Sequence, residues 1–524
     1  MANSVVTTAN REAQKTCGCV LLLCAMFLSG TNSFAQGTAE AHANRGLELA
    51  QRGDLPAAEL ELRQAVKLAP SNSEILGSLG TVLAMEKKLE ESNTVLERAL
   101  KLNPSDLTLR RYLAANFWQL QRYPEAKRNL QIILKQKPSD PPSLLLMGMV
   151  SENTKDYATA VRMLSAVPAL VRQQPESIAA LARSYYHLRN QEKARETLGQ
   201  LSPVEPQAIL LGSQIADEMG DYDEAEKLLL SIQSASLDPT AIGYRLALVR
   251  YHAKHLPEAR QTLLELINAG RKTGDIYNLL GWCYQDEHQL DQAVSALEEA
   301  IRLDPPQEAN YLDLAKIYMV NGKIPSALLV AKHGATALPD APRIVLLKGS
   351  IELKAGQFTD ALASYTRAQQ LSPNDPDGAL GIARAQFGAG MTKEATASFE
   401  SGMKRFPKDA RFPLHYALLL LKQSETGDAS AEARAETLLK SALALDRSMP
   451  EAHYHLGDLA LKNGRNAEAA AHLESAEKLD PESKETHFAL SRAYRRLGRS
   501  ADAAKEMDLY NKLKDAETPA APAS

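Results

Sequence analysis

The stretch Leu280–Pro305, LGWCYQDEHQLDQAVSALEEAIRLDP, carries a tryptophan, a cysteine, a tyrosine and a histidine within its first nine residues. Either these form a reactive site or they fill slots of a recurring frame. The prolines decide between the two: Pro70, Pro104 and Pro138 stand 34 residues apart, as do Pro305, Pro339, Pro373 and Pro407. Steps of 34 from Gly281, Tyr284, Ala293, Leu297, Ala300 and Pro305 reach Ala315, Tyr318, Ala327, Ala331, Gly334 and Pro339, and then Gly349, Glu352, Ala361, Tyr365, Ala368 and Pro373. Small residues at the first and third slots let two helices approach closely while larger ones fill the space beside them. Proline ends the second helix, because it lacks an N–H and forces the preceding residue out of helical geometry. GDY at 220–222, GQF at 356–358 and NGR at 463–465 fall where the turn inside each pair belongs, and glycine there adopts the left-handed conformation that closes the first helix.

This period and pattern resemble the tetratricopeptide repeat, a helix-turn-helix unit of about 34 residues. The resemblance implies an all-α fold, a right-handed superhelical solenoid of about fourteen such repeats, with the first helices lining a concave groove. Known members mainly bind peptides or proteins and organise complexes, so it also implies a non-catalytic interaction scaffold. Members that hold a chaperone's terminal carboxylate use a lysine and an asparagine at two groove positions. The matching pairs, Ala43 with Leu47, Gly77 with Thr81 and Asn278 with Trp282, do not reproduce them.

Along the chain, residues 1–35 read as a secretory signal peptide. Arg11 and Lys15 precede the apolar run CGCVLLLCAMFL, and small residues at Ser33 and Ala35 place cleavage before Gln36. The run is short for a membrane span of about 20 residues, so the mature chain is expected to carry no transmembrane span and to be exported, periplasmic or secreted. An anchor formed by an uncleaved N-terminal segment is the alternative. Cleavage removes Cys17, Cys19 and Cys24 and takes the formal charge from -4 to -5, leaving Cys283 without an internal disulfide partner. A regular repeat block follows at 36–140, an irregular one at 141–272 where the proline spacing slips, and a regular one at 273–408. A C-terminal block at 409–514 has an insertion near 424–434, and residues 515–524 form a tail. With no Lys/Arg run and a small net charge, a nucleic-acid footprint is not indicated.

The frame also sorts the residues of the opening stretch. Cys283 steps to Ile317, Ile351, Ala385 and Leu419, an apolar slot that makes it packing rather than a reactive thiol. Trp282 steps to Lys316, Ser350, Arg384 and Leu418, a variable slot that the resemblance places on the groove side, and so it is the leading partner-contact candidate. Other groove candidates in the same frame are Trp118, Tyr186, Tyr244, Tyr251, Phe387, Tyr454 and Phe488, with Arg384 and Arg492 adding positive charge suited to an acidic ligand end. The competing reading is that these side chains pack on the next unit.

No catalytic residues, cofactor or metal site are expected. His453 and His455 diverge on one helix, His255 falls in a turn near His252, and no phosphate-cradling loop, nucleophile elbow or paired-cysteine spacing is present. The expected partner is therefore a protein or peptide in an envelope or secreted assembly, with self-association open. An accessory role in polysaccharide synthesis or secretion is the alternative, and an enzyme with an unrecognised site is the third reading.

Overall fold

The computed structural model describes residues 34–201, 205–232, 238–425 and 429–517. Nearly all of the expected leader, part of the 424–434 insertion and most of the tail lie outside these residues. The described residues form 29 helices and no strand. The chain divides into two compact units, residues 1–271 and 272–524. Each holds seven turn-linked helix pairs, so the all-α repeat solenoid that the family resemblance implied is the architecture observed. In the N-terminal unit the first helices of the pairs are Phe34–Gln51, Ser73–Met85, Leu107–Gln119, Pro141–Asn153, Pro175–His187, Pro206–Glu218 and Pro239–His252. In the C-terminal unit they are Gly274–Asp286, Glu308–Val320, Pro342–Lys354, Pro376–Gly388, Arg411–Ser424, Pro450–Lys462 and Lys484–Arg496.

Local chemistry accounts for the helix ends. Asn103, Lys137, Asp304, Leu338 and Ser372 close second helices with φ between -130° and -136°, and each precedes a proline, whose ring forbids continued helical geometry. The next helix is then often started by an Asx cap. Asn72 accepts from the backbone N–H groups of Glu74 and Ile75, and Asp106 accepts from those of Thr108 and Leu109. Inside the pairs the turn residue is left-handed. It is glycine at Gly220, Gly356 and Gly464, but Lys87, Gln121, Lys155, Arg189, Lys254 and His288 adopt the same geometry with φ of 58° to 62°. A left-handed side-chain residue costs about 1–2 kcal/mol, so tertiary packing imposes this turn even where the sequence offers no glycine.

Close approach within a pair follows from the small-residue slots. A Cβ added to Gly281 would lie 2.7 Å from Leu297 Cγ and 3.2 Å from the Ala293 carbonyl, and the same contact recurs between Gly457 and Leu473 at 2.6 Å. Ala293, Leu297 and Cys283 are fully buried, and Cys283 fills a gap as its apolar slot implied.

In residues 141–272 three of the four second helices are short: 9 residues in Tyr157–Ser165, 8 in Gln191–Leu198 and 10 in Tyr222–Ser231, against 13 in Leu256–Asn268 and 14 in Leu290–Leu303. A single turn of helix, Pro168–Val171, replaces part of one of them. Shortened second helices are the physical reason the proline spacing slips there while the pairing survives.

Within each unit, first helices touch the first helices of neighbouring pairs, for example Gly274–Asp286 with Glu308–Val320, and Pro376–Gly388 with Arg411–Ser424. Successive second helices make no comparable contact among the described residues. Elements that meet each other lie at the smaller radius, so the first helices form the inner wall of each unit.

Candidate functional site

The inner wall of the C-terminal unit presents an arginine that forms no ion pair among the described residues. Arg384, on Pro376–Gly388, is exposed and has no hydrogen bond or ion pair among the described residues. His415, on the following first helix, is half-buried and likewise has no hydrogen-bond partner among the described residues. Burial, with the charges of Arg384 and Arg411 adding to it, pushes the His415 imidazole down from 6.5 to about 4 and keeps it neutral at physiological pH. Arg411 is different: Asp377 at 2.8 Å and Asp409 at 2.6 Å already neutralise it. It lines an open depression of about 640 Å³ with Pro376, Phe406, Asp446 and Met449, which for that reason offers an anion less than Arg384 does.

One pair further on, Glu451, Tyr454, His455 and Asp458 share a face of Pro450–Lys462 at helical spacing. Burial raises the Glu451 carboxyl, and the charge of Arg384 opposes that rise. Glu451 is nonetheless open to solvent. A group that is wetted yet crowded by protein belongs to a concave surface, where low-dielectric walls strengthen each charge. Tyr454 packs partly against the terminal core and lies 5.0 Å from the His455 ring in an edge-on arrangement. Burial raises the Tyr454 hydroxyl and lowers the His455 imidazole. On Lys484–Arg496, Phe488 is 40% exposed, with Tyr510 at 5.2 Å and the Arg492 guanidinium 6.0 Å above its ring. Arg384, Tyr454, Phe488 and Arg492 thus stand on the inner-wall helices of one unit, with Phe387 beside Arg384 as half-buried packing against the core.

The remaining sequence candidates sit in tighter surroundings. Trp118 is half-buried and packs against two hydrophobic clusters of the N-terminal unit. Tyr186 donates its hydroxyl to Asp221 Oδ2 at 2.8 Å, and Arg195 holds the same buried carboxylate through two bonds. Burial works to raise the Asp221 carboxyl, but Arg195 and Tyr186 outweigh it and leave it below the usual range. Tyr244 and Tyr251 are half-buried on Pro239–His252, with Lys254 Nζ 5.2 Å above the Tyr251 ring. Trp282 is half-buried against the next first helix, with Lys316 Nζ 5.2 Å above its ring. The buried Asn278 amide donates to Asn310 and Asp313, both at 3.0 Å.

Sequence reading missed His415 and Glu451. The slot of His415 carries Leu279, Asp313, Leu347 and Gly381 at the earlier 34-residue steps, a variable series that offered no signal for it. A second missed group is Glu477, His487 and Glu506, whose ligating atoms all lie within 4.8 Å of one another.

Comparisons agree with the helix pairing. Two family profiles described as tetratricopeptide repeat match the chain, one over residues 284–351 and 352–412, the other over 43–106, 431–483 and 454–522. The TPR repeat-containing protein YpiA of Bacillus subtilis is 20% identical over 328 residues, 62% of this chain and 76% of that protein. The Protein CTR9 homolog of Arabidopsis thaliana is 23% identical over 143 residues; the match covers 27% of this chain and spans 13% of that protein's length. Among solved structures, the C-terminal part of a TPR repeat-containing protein from Cytophaga hutchinsonii aligns at TM-score 0.38 and 18% identity, over 47% of this chain and 98% of that one. The APC/C hetero-tetramer Cut9-Hcn1 aligns at TM-score 0.35 and 12% identity, over 87% of this chain and 96% of that one.

Proposed function

We propose, from the premise that this chain belongs to the tetratricopeptide repeat family, that its C-terminal unit binds an extended peptide segment of a partner protein along the inner wall. Tetratricopeptide arrays are in general interaction scaffolds rather than catalysts. The observation that carries the finer reading is the pairing of Arg384 and His415. An exposed guanidinium without a partner adjoins an imidazole whose neutral form is favoured, and both are answered by a carboxylate from the ligand. An apolar or aromatic ligand side chain then rests against Tyr454 and Phe488, the amphipathic rings suited to such contacts. Glu451 and Asp458 limit how much negative charge the ligand carries and set the direction in which it lies.

The basic residues, apolar run and small residues at 1–35 support placing this scaffold in an exported or periplasmic assembly. No helix among the described residues is long and apolar enough to cross a membrane.

The test is fluorescence anisotropy of labelled peptides of equal length, acidic and basic, each with one aromatic residue. The acidic peptide binds more tightly, its binding weakens with salt, and Arg384→Glu weakens it at least about tenfold, or 1.4 kcal/mol. Equal binding of both peptides, or an unchanged affinity in Arg384→Glu, overturns the assignment. Fractionation of the native host cell, with the chain followed by antibody, tests the exported location; a cytosolic chain of full length overturns it.

A further inference from the structure

The helix pairs carry a polar slot where a first helix meets its second helix, 19 residues apart. His42 meets Glu61 there at 2.6 Å, Arg110 meets Asn129 at 3.4 Å, His453 meets His472 at 3.1 Å and His487 meets Glu506 at 2.7 Å. Among the described residues only the last of these has a third metal-ligating group beside it. Glu477, on Asn466–Leu479, brings its carboxylate to within 4.8 Å of the ligating atoms of His487 and Glu506. The corresponding position is Leu443 for the His453 pair and Leu100 for the Arg110 pair.

We propose that Glu477, His487 and Glu506 bind a divalent transition-metal ion of borderline softness, such as Zn2+, that ties the last helix pair to the one before it. Three features of the geometry support this. First, the His487 Nε2–H donates to the Pro481 carbonyl at 2.9 Å, which leaves Nδ1 as the atom facing the two carboxylates. A backbone carbonyl on the far nitrogen is how metal-binding imidazoles are held in orientation. Second, the His487 and Glu506 side chains are only 3% and 4% exposed, so bulk water does not compete for the donors, while half-buried Glu477 leaves a way in. Third, Glu477 has no hydrogen bond among the described residues, although it points at the cluster. In the absence of an ion His487 Nδ1–H donates to Glu506; metal binding would release that proton to solvent, and two carboxylates with the resulting neutral imidazole match one divalent ion in charge, with mixed N/O donors that suit zinc. A tetrahedral ion with bonds of about 2.0–2.1 Å needs its donors roughly 3.3 Å apart, which side-chain rotation within the cluster supplies. Lys505 and Glu474 flank Glu477, and Glu474 is engaged by Tyr494 and Arg499. The ion would act structurally. It would bridge Asn466–Leu479 to the pair Lys484–Arg496 and Ser500–Glu517, its donors coming from three successive helices.

The experiment is equilibrium dialysis of the chelator-treated full chain against ZnCl2, with bound metal quantified per chain, on the parent and on Glu477→Gln, His487→Gln and His453→Gln. The parent retains one zinc per chain, and its melting temperature rises on zinc addition. Glu477→Gln loses at least about tenfold in affinity, since even outer-shell partners of a metal are worth 10–100-fold. His453→Gln binds as the parent does. Substitution of His487 removes a buried ion pair as well, so Glu477→Gln, with no hydrogen bond to lose, keeps the test independent of folding. No retained zinc in the parent, parent-like affinity in Glu477→Gln, or loss of binding in His453→Gln each overturns the proposal.

Discussion

The Nδ1 atoms of His453 and His472 lie 3.1 Å apart across a helix pair, their rings tilted by 44° with centroids 5.4 Å apart. One nitrogen must donate and the other accept, so the contact requires at least one neutral ring. Burial lowers both imidazoles, and the charge of His453 lowers His472 further. Lys440, Arg465 and Glu468 face the pair, the first two acting in the same direction and the last against them.

A group whose folded pKa lies below its unfolded value contributes stability that is present above the unfolded pKa and lost as pH falls through the folded one. For His453, His472 and His415 the loss therefore begins near pH 6.5, and for His415 it continues to about pH 4. Urea midpoints measured from pH 8 to pH 4 fall across this window. The slope decreases in a His415→Gln, His472→Gln double variant. A pH dependence identical to the parent's would show that these rings titrate normally in the fold.

Gly402→Ala destabilises the C-terminal unit by about 1–3 kcal/mol. The added Cβ would sit 2.1 Å from the Phe412 ring, which is fully buried and stacked on Phe406 at 5.8 Å. The Phe412 ring, with no exposure to solvent, can move only by displacing its packed neighbours. The denaturation midpoint of the variant checks this, and an unchanged midpoint means that the helices are further apart than described.

Arg195→Ala costs the N-terminal unit about 3 kcal/mol, because the Asp221 carboxylate, 2% exposed, is left with an uncompensated charge. Tyr186→Phe removes one of its hydrogen bonds and costs about 1 kcal/mol. Both variants keep the parent's peptide affinity when folded, since neither residue belongs to the Arg384 wall. Equal losses in the two variants would contradict the dominance of the guanidinium.

Arg384→Ala leaves stability within about 0.5 kcal/mol of the parent, as an exposed side chain without a partner should. It also releases His415 from a neighbouring positive charge, so the His415 pKa rises toward its ordinary value. The imidazole proton resonances followed by NMR across pH 3–8 check this. A pKa that stays at about 4 would show that burial and Arg411, and not Arg384, hold it down.

Much of the architecture was legible in the sequence because repetition exposes local rules. A proline every 34 residues, an Asx cap after it and a small residue at each close contact act within one or two turns of chain, and the 34-residue steps displayed them repeatedly. The irregular middle was less legible: three of its second helices stop after 8 to 10 residues, so the proline no longer returns every 34 residues. Of the candidate wall, Arg384, Tyr454, Phe488 and Arg492 were readable as variable first-helix slots. Trp118 and Tyr186 looked equivalent to them in the frame, yet the structure packs the one between clusters and spends the other's hydroxyl on Asp221.

The sequence by itself determined the helix pairs, their ends and the repeat family, since these depend on residues near one another in the chain. Only the tertiary structure decided which charges remain unanswered. Arg411 is neutralised by Asp377 and Asp409 while Arg384 is not, and His487 gathers carboxylates from the helices on either side of its own. Charge pairing depends on distances between side chains brought together from different repeats, and a repeat period fixes which slots exist without fixing which partners reach them.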